Sequence, residues 1–187
     1  MSKLKNVETR SYKTYRARLK AFERLQSRQR AWNTSLLALS VATTIASIAL
    51  LTDDGMYGKA GPTVLVCVSV LALVASLAVA GLDYGVRSRD MFMNYRAIQR
   101  IAVEAESLGE GDPSAEDVQE LSERYNALLD DSENHTSADH KAADPDAKIR
   151  RWHVAASFTL TVLPYLALVV PLLVVVPFIA WALQGGQ

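Results

Sequence analysis

The chain is dominated by three long runs of apolar residues that contain no charged side chain. They extend from Ala31 to Leu51, from Ala60 to Leu82 and from Val154 to Leu183. The hydrocarbon core of a bilayer is about 30 Å thick and an α-helix rises about 1.5 Å per residue, so roughly 20 apolar residues cross it. Helices of a soluble bundle keep a polar stripe where they meet water. The pattern therefore predicts an all-α integral membrane protein with three transmembrane helices.

Polar segments between the runs give the expected order of parts. Asp53-Asp54-Gly55 and Gly61-Pro62 bracket a tight loop, so the first two spans form a transmembrane helical hairpin. Thirty charge-rich residues before the first run argue against a cleaved signal peptide. The expected parts are a basic amphipathic cytoplasmic helix (1–30), transmembrane helix 1 (31–52), a short outer loop (53–59), transmembrane helix 2 (60–82), a cytoplasmic helical region (83–151) and transmembrane helix 3 (152–184).

Both arms of the hairpin continue as long amphipathic helices, and we expect these extensions to pack together through apolar faces with helical spacing. The face before the first span consists of Tyr12, Tyr15, Leu19 and Phe22. The face after the second span consists of Tyr84, Met91, Tyr95, Ile98, Ala102 and Ala105.

A further helix should follow the glycines at positions 109 and 111. Ser114 and Asp117 have the spacing of a capping box with Asp in place of Glu, and the helix should end near Asp131. Its apolar face consists of Val118, Leu121, Tyr125 and Leu128. Residues 130–146 are poor in apolar side chains, so we expect a mostly irregular return to the membrane.

Lysine and arginine are strongly segregated along a chain whose formal net charge is zero. Ten of the 20 lie in residues 1–30, one in 53–59 and nine in 83–151. The positive-inside rule then places the N terminus and the 83–151 region in the cytoplasm and the C terminus outside. Residues 83–151 also contain sixteen acidic side chains, so the basic N-terminal arm can lie against this region or on anionic lipid headgroups.

Candidate sites for binding or catalysis are weak. His135 and Asp139, with His140 and Asp144, could suggest a metal site, but the polar stretch around them promises no rigid support, and helix capping or packing is the simpler interpretation. The aromatic residues of the basic arm should face a partner helix, so we expect no sequence-specific nucleic-acid binding. No phosphate loop, nucleophile elbow or His-Glu-x-x-His motif is present, and we expect no enzyme, metal or cofactor.

Small and hydroxylated residues recur at helical spacing within the spans. Ser40, Thr44 and Ser47 share a face of the first span and either pack against a helix or line a water-filled path in an oligomer. A ridge for helix–helix contact in the second span consists of Ala72, Ser76 and Ala80. Three prolines in the third span, Pro164, Pro171 and Pro177, favour kinks, so that span is either a tilted anchor or a gate.

Several positions follow the pattern of a known family. They are Arg16 within Tyr15-Arg16-Ala17-Arg18-Leu19, Trp32, Tyr95 followed by Arg96, Tyr125 at the start of the run to Leu129, Asn134 and His135 after Glu133, and Asp139. With the hairpin, these residues resemble the SLATT family, the SMODS and SLOG-associating two-transmembrane effector domains of bacteria. The chain resembles a variant with an additional C-terminal span.

The resemblance implies a non-enzymatic, pore-forming homo-oligomer in the inner membrane that acts in antiphage defence by abortive infection. It also implies a nucleotide or partner-protein signal, from a cognate nucleotide-signal synthetase, a sensor or a reverse transcriptase. The main alternative is a scaffold without a pore that docks a cytosolic enzyme through the acidic 104–133 surface. A membrane enzyme that uses His135 and Asp139 is more remote.

Overall fold

The structure, a computed structural model, describes residues 3–53, 55–144, 146 and 151–184, and all regular structure in these ranges is helical. The helices are α1 (Lys3–Thr52), α2 (Gly61–Gly81), α3 (Tyr84–Gly109), α4 (Ala115–Asp130), α5 (Ser137–Ala143), α6 (Arg151–Ala167) and α7 (Val169–Leu183). Three stretches are long and apolar enough to cross a membrane: Lys3–Thr52, Gly61–Gly109 and Ala155–Leu183. The expected all-α membrane architecture is confirmed.

The chain forms two compact units, which are described separately. The polar unit comprises Met1–Gln26 and Gly85–Phe158, and the apolar unit comprises Ser27–Tyr84 and Thr159–Gln187. Because no proline or glycine occurs in residues 1–52, α1 is one uninterrupted helix that contributes to both units. The amphipathic helix and the first span predicted from the sequence are therefore parts of a single helix.

In the apolar unit, α1 turns its small residues inward. Ala42, Ala46 and Ala49 are buried, whereas Leu37 and Leu51 are exposed. This arrangement suits a lipid environment, in which burial of leucine between helices gains little and small residues let helix backbones approach closely. The hairpin turn is tight, as predicted, with the amide of Gly58 bonded to the carbonyl of Gly55 at 2.9 Å. Asp54 lies outside the described residues.

The third span is interrupted at Leu168, between two of its prolines. The amide of Leu168 bonds to the carbonyl of Tyr165 at 3.1 Å, so it does not continue the α-helical pattern. The carbonyl of Pro164 instead accepts a hydrogen bond from the hydroxyl of Ser35 in the first span. A side chain of α1 thus satisfies a backbone group that the break leaves free, in a region where lipid could not do so.

Two further polar contacts hold the third span in the apolar unit. The guanidinium Nε of Arg28 donates to the hydroxyl of Thr161 at 3.3 Å. In the loop after the first span, the hydroxyl of Tyr57 donates to the carbonyl of Val174 at 2.9 Å. The third span is therefore fixed to the hairpin at several levels.

In the polar unit, α1, α3 and α4 share one apolar core, so the two extensions pack together as predicted. The buried members of this core are Leu4, Val7, Ile98, Ile101, Ala105, Leu121 and Tyr125. The predicted capping box at the start of α4 is confirmed, because the amide of Asp117 donates to Ser114 Oγ at 3.1 Å and the amide of Ser114 donates to Asp117 Oδ2 at 3.0 Å.

Two local expectations for the polar unit are correct only in part. Tyr15 and Phe22 of the predicted α1 face pack against the core and against Tyr95, whereas Tyr12 is 48% exposed. The most buried line of α1 lies beside this face and includes Leu4, Val7, Ala21 and Leu25. The stretch 130–146 is also more ordered than expected, because it contains α5. This short helix forms because Thr136 and Asp139 make a second capping box, a signal that the low apolar content of the stretch concealed.

Candidate functional site

A buried arginine of α1 ties together the end of α4 and the middle of α3. Arg18 is 1% exposed, and its Nη1 donates to the side-chain oxygen of Asn94 and to Ser132 Oγ at 2.8 Å. The guanidinium also donates to the carbonyls of Leu128 and Leu129 at 3.2 and 3.5 Å. One side chain therefore joins three helices of the polar unit.

Within the described residues, Arg18 makes no ion pair, so its charge must be balanced otherwise. Leu128 and Leu129 lie in the last turn of α4, where unpaired carbonyls and the helix dipole give a partial negative charge. No basic residue of α4 itself lies in that turn. Burial lowers the pKa of Arg18 below its usual value, but a guanidinium remains charged at neutral pH. Arg18 therefore acts as the C-terminal cap of α4.

A second arginine of α1 holds the segment that follows α4. Arg24 binds Asp139 through two hydrogen bonds, Nε to Oδ1 at 2.8 Å and Nη2 to Oδ2 at 3.0 Å. Asp139 also accepts from the amide and hydroxyl of Thr136 at 2.9 and 2.7 Å. The aspartate side chain is 3% exposed. One carboxylate therefore both caps α5 and fixes it to α1. We call residues 131–143 the docking segment.

A third arginine, from α3, binds the same segment at a more exposed point. Arg87 forms a bidentate ion pair with Glu133, including an Nε–Oε2 hydrogen bond of 2.8 Å. This hydrogen bonding is the main reason why the pKa of Glu133 lies below its usual value. Arg18, Arg24 and Arg87 thus hold the docking segment by Ser132, Asp139 and Glu133 in turn.

His135 lies beside these contacts in a half-buried position. Its Nδ1 is buried without a hydrogen-bond partner in the described part of the chain, and its ring centre is 6.1 Å from that of His140. Burial first, and then the charges of Arg18 and His140, lower the pKa of His135, while Asp139 opposes this shift. Among the described residues, no three His, Cys, Asp or Glu side chains are grouped so that they could hold a metal ion.

The remaining family-pattern positions do not form one site. Tyr125 is buried and its hydroxyl is 2.8 Å from that of Thr14. Tyr95 packs against aromatic side chains of the polar unit, and Arg16 lies over the ring of Tyr12 at 5.7 Å from its centre. Trp32 is partly buried in the apolar unit, and Asn134 is exposed. Of the seven positions, the structure brings His135 and Asp139 next to the arginine contacts, and Tyr125 lies close enough to Arg18 to interact with its charge.

The hydroxyl face of the first span is exposed along its length. Ser40, Thr44 and Ser47 all face away from the interior of the unit. The hydroxyls of Thr44 and Ser47 donate to the carbonyls of Ser40 and Thr43 at 2.8 and 2.7 Å, and this leaves their oxygen lone pairs free to accept. The face is therefore available to a neighbouring helix or to water.

The ridge proposed for the second span divides between two environments. Ala72 is partly buried in the unit, on the same side of α2 as the buried Leu65. Ser76 and Ala80 are exposed. Within a single chain the three residues therefore do not form one continuous contact, and a role for the ridge between chains remains a prediction.

The charge segregation predicts that the basic arm can lie against residues 83–151, and the Arg24–Asp139 pair is such a contact, but it does not predict that Arg18 is buried. The signal was present in the spacing, since Leu4, Val7, Ser11, Arg18 and Leu25 follow steps of three, four and seven residues. An arginine on such a line is buried with the apolar residues around it. Its partners, the carbonyls at the end of α4, cannot be read from side-chain identity.

The chain matches a known family model over almost its whole length. The family model of the SMODS and SLOG-associating 2TM effector domain, family 5, matches residues 1–183. The match therefore includes both units and the third span. No curated protein and no solved structure shows significant similarity to the chain.

We predict that the Arg24–Asp139 pair stabilises the docking segment far more than the Arg87–Glu133 pair does. Removing one member of a buried pair leaves an uncompensated charge, so Asp139→Asn should cost about 3 kcal/mol or more. Glu133→Gln is the matched control; it breaks a half-exposed pair and should cost about 1 kcal/mol or less. Hydrogen exchange of the amides of α5, measured in detergent, reports both. Equal protection in the two variants would contradict this ranking.

Acidification should release the docking segment. Since the pKa of His135 is lowered in the folded chain, the unfolded segment binds a proton first as the pH falls below about 6.5. Stability is therefore intact above that pH and falls as the pH drops below it, above the range in which Glu133 titrates. Protection factors of the α5 amides, which correct the exchange rates for the intrinsic pH dependence of amide exchange, should be lower at pH 5.5 than at pH 7.5 in the wild type and equal at the two pH values in His135→Gln. If the protection factors of this variant still depended on pH, a group other than His135 would be responsible for the effect.

Proposed function

Because the chain belongs to the SMODS and SLOG-associating two-transmembrane effector domain (SLATT) family, we propose that it is the membrane effector of a bacterial antiphage conflict system. On arrival of an infection signal, copies of the chain oligomerise and permeabilise the inner membrane. The infected cell then dies or stops growing. Three helices long and apolar enough to cross a membrane support this proposal.

The observation that carries the proposal is the exposed hydroxyl face of Ser40, Thr44 and Ser47. Lipid tails offer no hydrogen-bond partner to a continuous stripe of hydroxyl groups. In membrane proteins such stripes are found where one helix packs against another. In an oligomer the stripes of several copies would face each other, and the free lone pairs would stabilise water between them. With no charged residue in mid-span, a path lined by this face would select poorly between ions.

The third span supports a restraining role for α6 and α7. The family description names two transmembrane helices, whereas this chain has three. Ser35 and Arg28 of α1 contact the third span at Pro164 and Thr161. The third span thereby limits the rotation of the first, whose hydroxyl face would line the path. It acts as a gate if the signal breaks these contacts and as an anchor if they persist.

We assign signal reception to the polar unit. A cleft there is lined by two lysines, Lys3 and Lys5, and by four carboxylates, of Glu8, Glu106, Glu110 and Asp112. Carboxylates repel phosphate groups, so this cleft suits a partner protein better than a nucleotide. The partner would be a nucleotide-signal synthetase, a sensor or a reverse transcriptase, and it would act on the cytoplasmic side.

The proposal requires the N terminus and the polar unit to lie in the cytoplasm. We expect Lys20→Cys and Glu120→Cys, in a Cys67→Ala background, to resist a membrane-impermeant maleimide in intact spheroplasts, because the positive-inside rule places both sites inside. Lys59→Cys, in the loop between the first two spans, should be labelled and is the positive control. Labelling of only one of the two inner sites would overturn the topology.

Replacing the hydroxyl face should abolish permeability without abolishing assembly. Ser40→Leu with Thr44→Leu removes the groups that stabilise water but keeps the helix apolar. When the chain is expressed with its operon partner and the cells are infected, a potential-sensitive dye should report depolarisation for the wild type and none for this variant.

The matched control removes a hydroxyl from an exposed position of the second span away from the hydroxyl face, Thr63→Leu, and should depolarise like the wild type. A chain that acts as a scaffold, docking a cytosolic enzyme through its acidic surface, predicts unchanged polarisation in every case. Depolarisation by the Ser40 and Thr44 variant would instead exclude this face as the path.

A further inference from the structure

The outward face of α3 carries a regular stripe of arginine and apolar side chains. Its members are exposed and alternate in steps of three and four residues, which places them on one helix face. We call it the α3 stripe, and it consists of Val86, Arg89, Met93, Arg96, Arg100, Val103 and Ser107.

The composition of the α3 stripe is that of a protein interface. Val86, Met93 and Val103 are 57, 64 and 58% exposed. Arginine and methionine are enriched in interfaces and lysine is depleted, and every cation of this stripe is an arginine. Within the described chain, neither Arg89 nor Arg100 forms an ion pair. A shallow groove runs beside Arg96, Arg100 and Val103.

The outward face of α4 carries a stripe of opposite charge. Its members follow the same alternating steps, all are exposed, and none forms an ion pair in the described part of the chain. We call it the α4 stripe, and it consists of Glu116, Glu120, Glu123, Ala127 and Asp130. From Glu116 to Asp130 it covers as many residues as the α3 stripe covers from Arg89 to Val103, about 21 Å on each helix.

The two stripes cannot meet within one chain. Each lies on the side of its helix opposite the shared core, to which α3 contributes Ile98 and Ala105 and α4 contributes Leu121 and Tyr125. Complementary faces that point away from a common core cannot meet within one chain, but a second copy can bring them together. The contact between copies is then head to tail, and it closes into a ring if the rotation between neighbours allows it.

We propose that the α3 stripe of one chain binds the α4 stripe of the next, and that this contact builds the oligomer. The inference rests on the oligomerisation in the proposed function and adds the surfaces that produce it. Lipid headgroups or nucleic acid would require the arginines alone. They would leave unexplained both the three exposed apolar side chains between the arginines and the acidic stripe of matching length and spacing.

Charge reversal tests the contact directly. One variant carries Arg96→Glu and Arg100→Glu, and the other carries Glu120→Arg and Glu123→Arg. Subunits are counted by single-molecule photobleaching in vesicles of phosphatidylcholine alone, which present no anionic headgroup. Each variant by itself should need about tenfold more protein per lipid than the wild type to assemble, because like charges then meet at the interface.

An equal mixture of the two variants should assemble at the same protein-to-lipid ratio as the wild type. Wherever a copy of one variant meets a copy of the other, opposite charges face each other. A chain carrying all four substitutions should also assemble at this ratio. This rescue also establishes that both variants fold. The control, Lys13→Glu with Lys20→Glu, makes the same change in net charge as the Arg96 and Arg100 variant, but on α1 and outside both stripes, and should assemble like the wild type.

Failure of the mixture to assemble, or normal assembly of either single variant, would overturn the proposed contact. Dye leakage from the same vesicles is recorded separately. Wild-type chain that assembles through the stripes but never leaks, even with its partner present, would contradict the pore and leave the contact standing. If every charge-reversal variant leaked and assembled like the wild type, the proposed contact would be wrong, but the proposed pore would not be contradicted.

Discussion

The arrangement of the polar unit depends on one buried guanidinium without a carboxylate partner. Arg18 is balanced by the carbonyls of Leu128 and Leu129 at the end of α4, and its Nη1 also donates to Asn94 and Ser132. A carbonyl cluster at a helix end exists only when the helix is formed and correctly placed. The charge is therefore tolerable only in the assembled unit, so packing of α4 and burial of Arg18 are coupled.

The single helix α1 meets two opposite requirements along its length. In its first half the inward positions include large or hydrogen-bonded side chains, such as Leu25 and Arg18, beside alanines, because burial from water rewards apolar area. In its second half the inward positions are small, such as Ala42 and Ala46, because lipid makes close backbone approach the main source of contact energy. The helix is continuous, but what stabilises its packing changes along it.

Much of this structure can be predicted from elementary sequence patterns. Each part that cannot be predicted in this way has an identifiable physical cause. The length of the apolar runs predicts the spans, and helical periodicity predicts the faces of α3 and α4 that form the core. The spacing of Ser114 and Asp117 predicts the cap at the start of α4. The aromatic face of α1 predicts the contacts of Tyr15 and Phe22, but it leaves out Leu4 and Val7, which are more deeply buried. Helix α5 was missed because its stability comes from Asp139, whose partner Arg24 is 115 residues away. Helical spacing predicts which residues form the hydroxyl face of the first span. Whether that face is exposed depends on tertiary packing, which the spacing does not show.

The hydrogen bond from Ser35 to the carbonyl of Pro164 has a consequence for biogenesis. The third span leaves the ribosome last, and its broken backbone carries an acceptor that acyl chains cannot satisfy. If that segment entered the bilayer laterally and alone, it would carry this penalty until the first span reached it. The translocon would therefore retain the third span until the hairpin of the first two spans lies against it. The three helices of this protein should then enter the membrane together, and not one at a time.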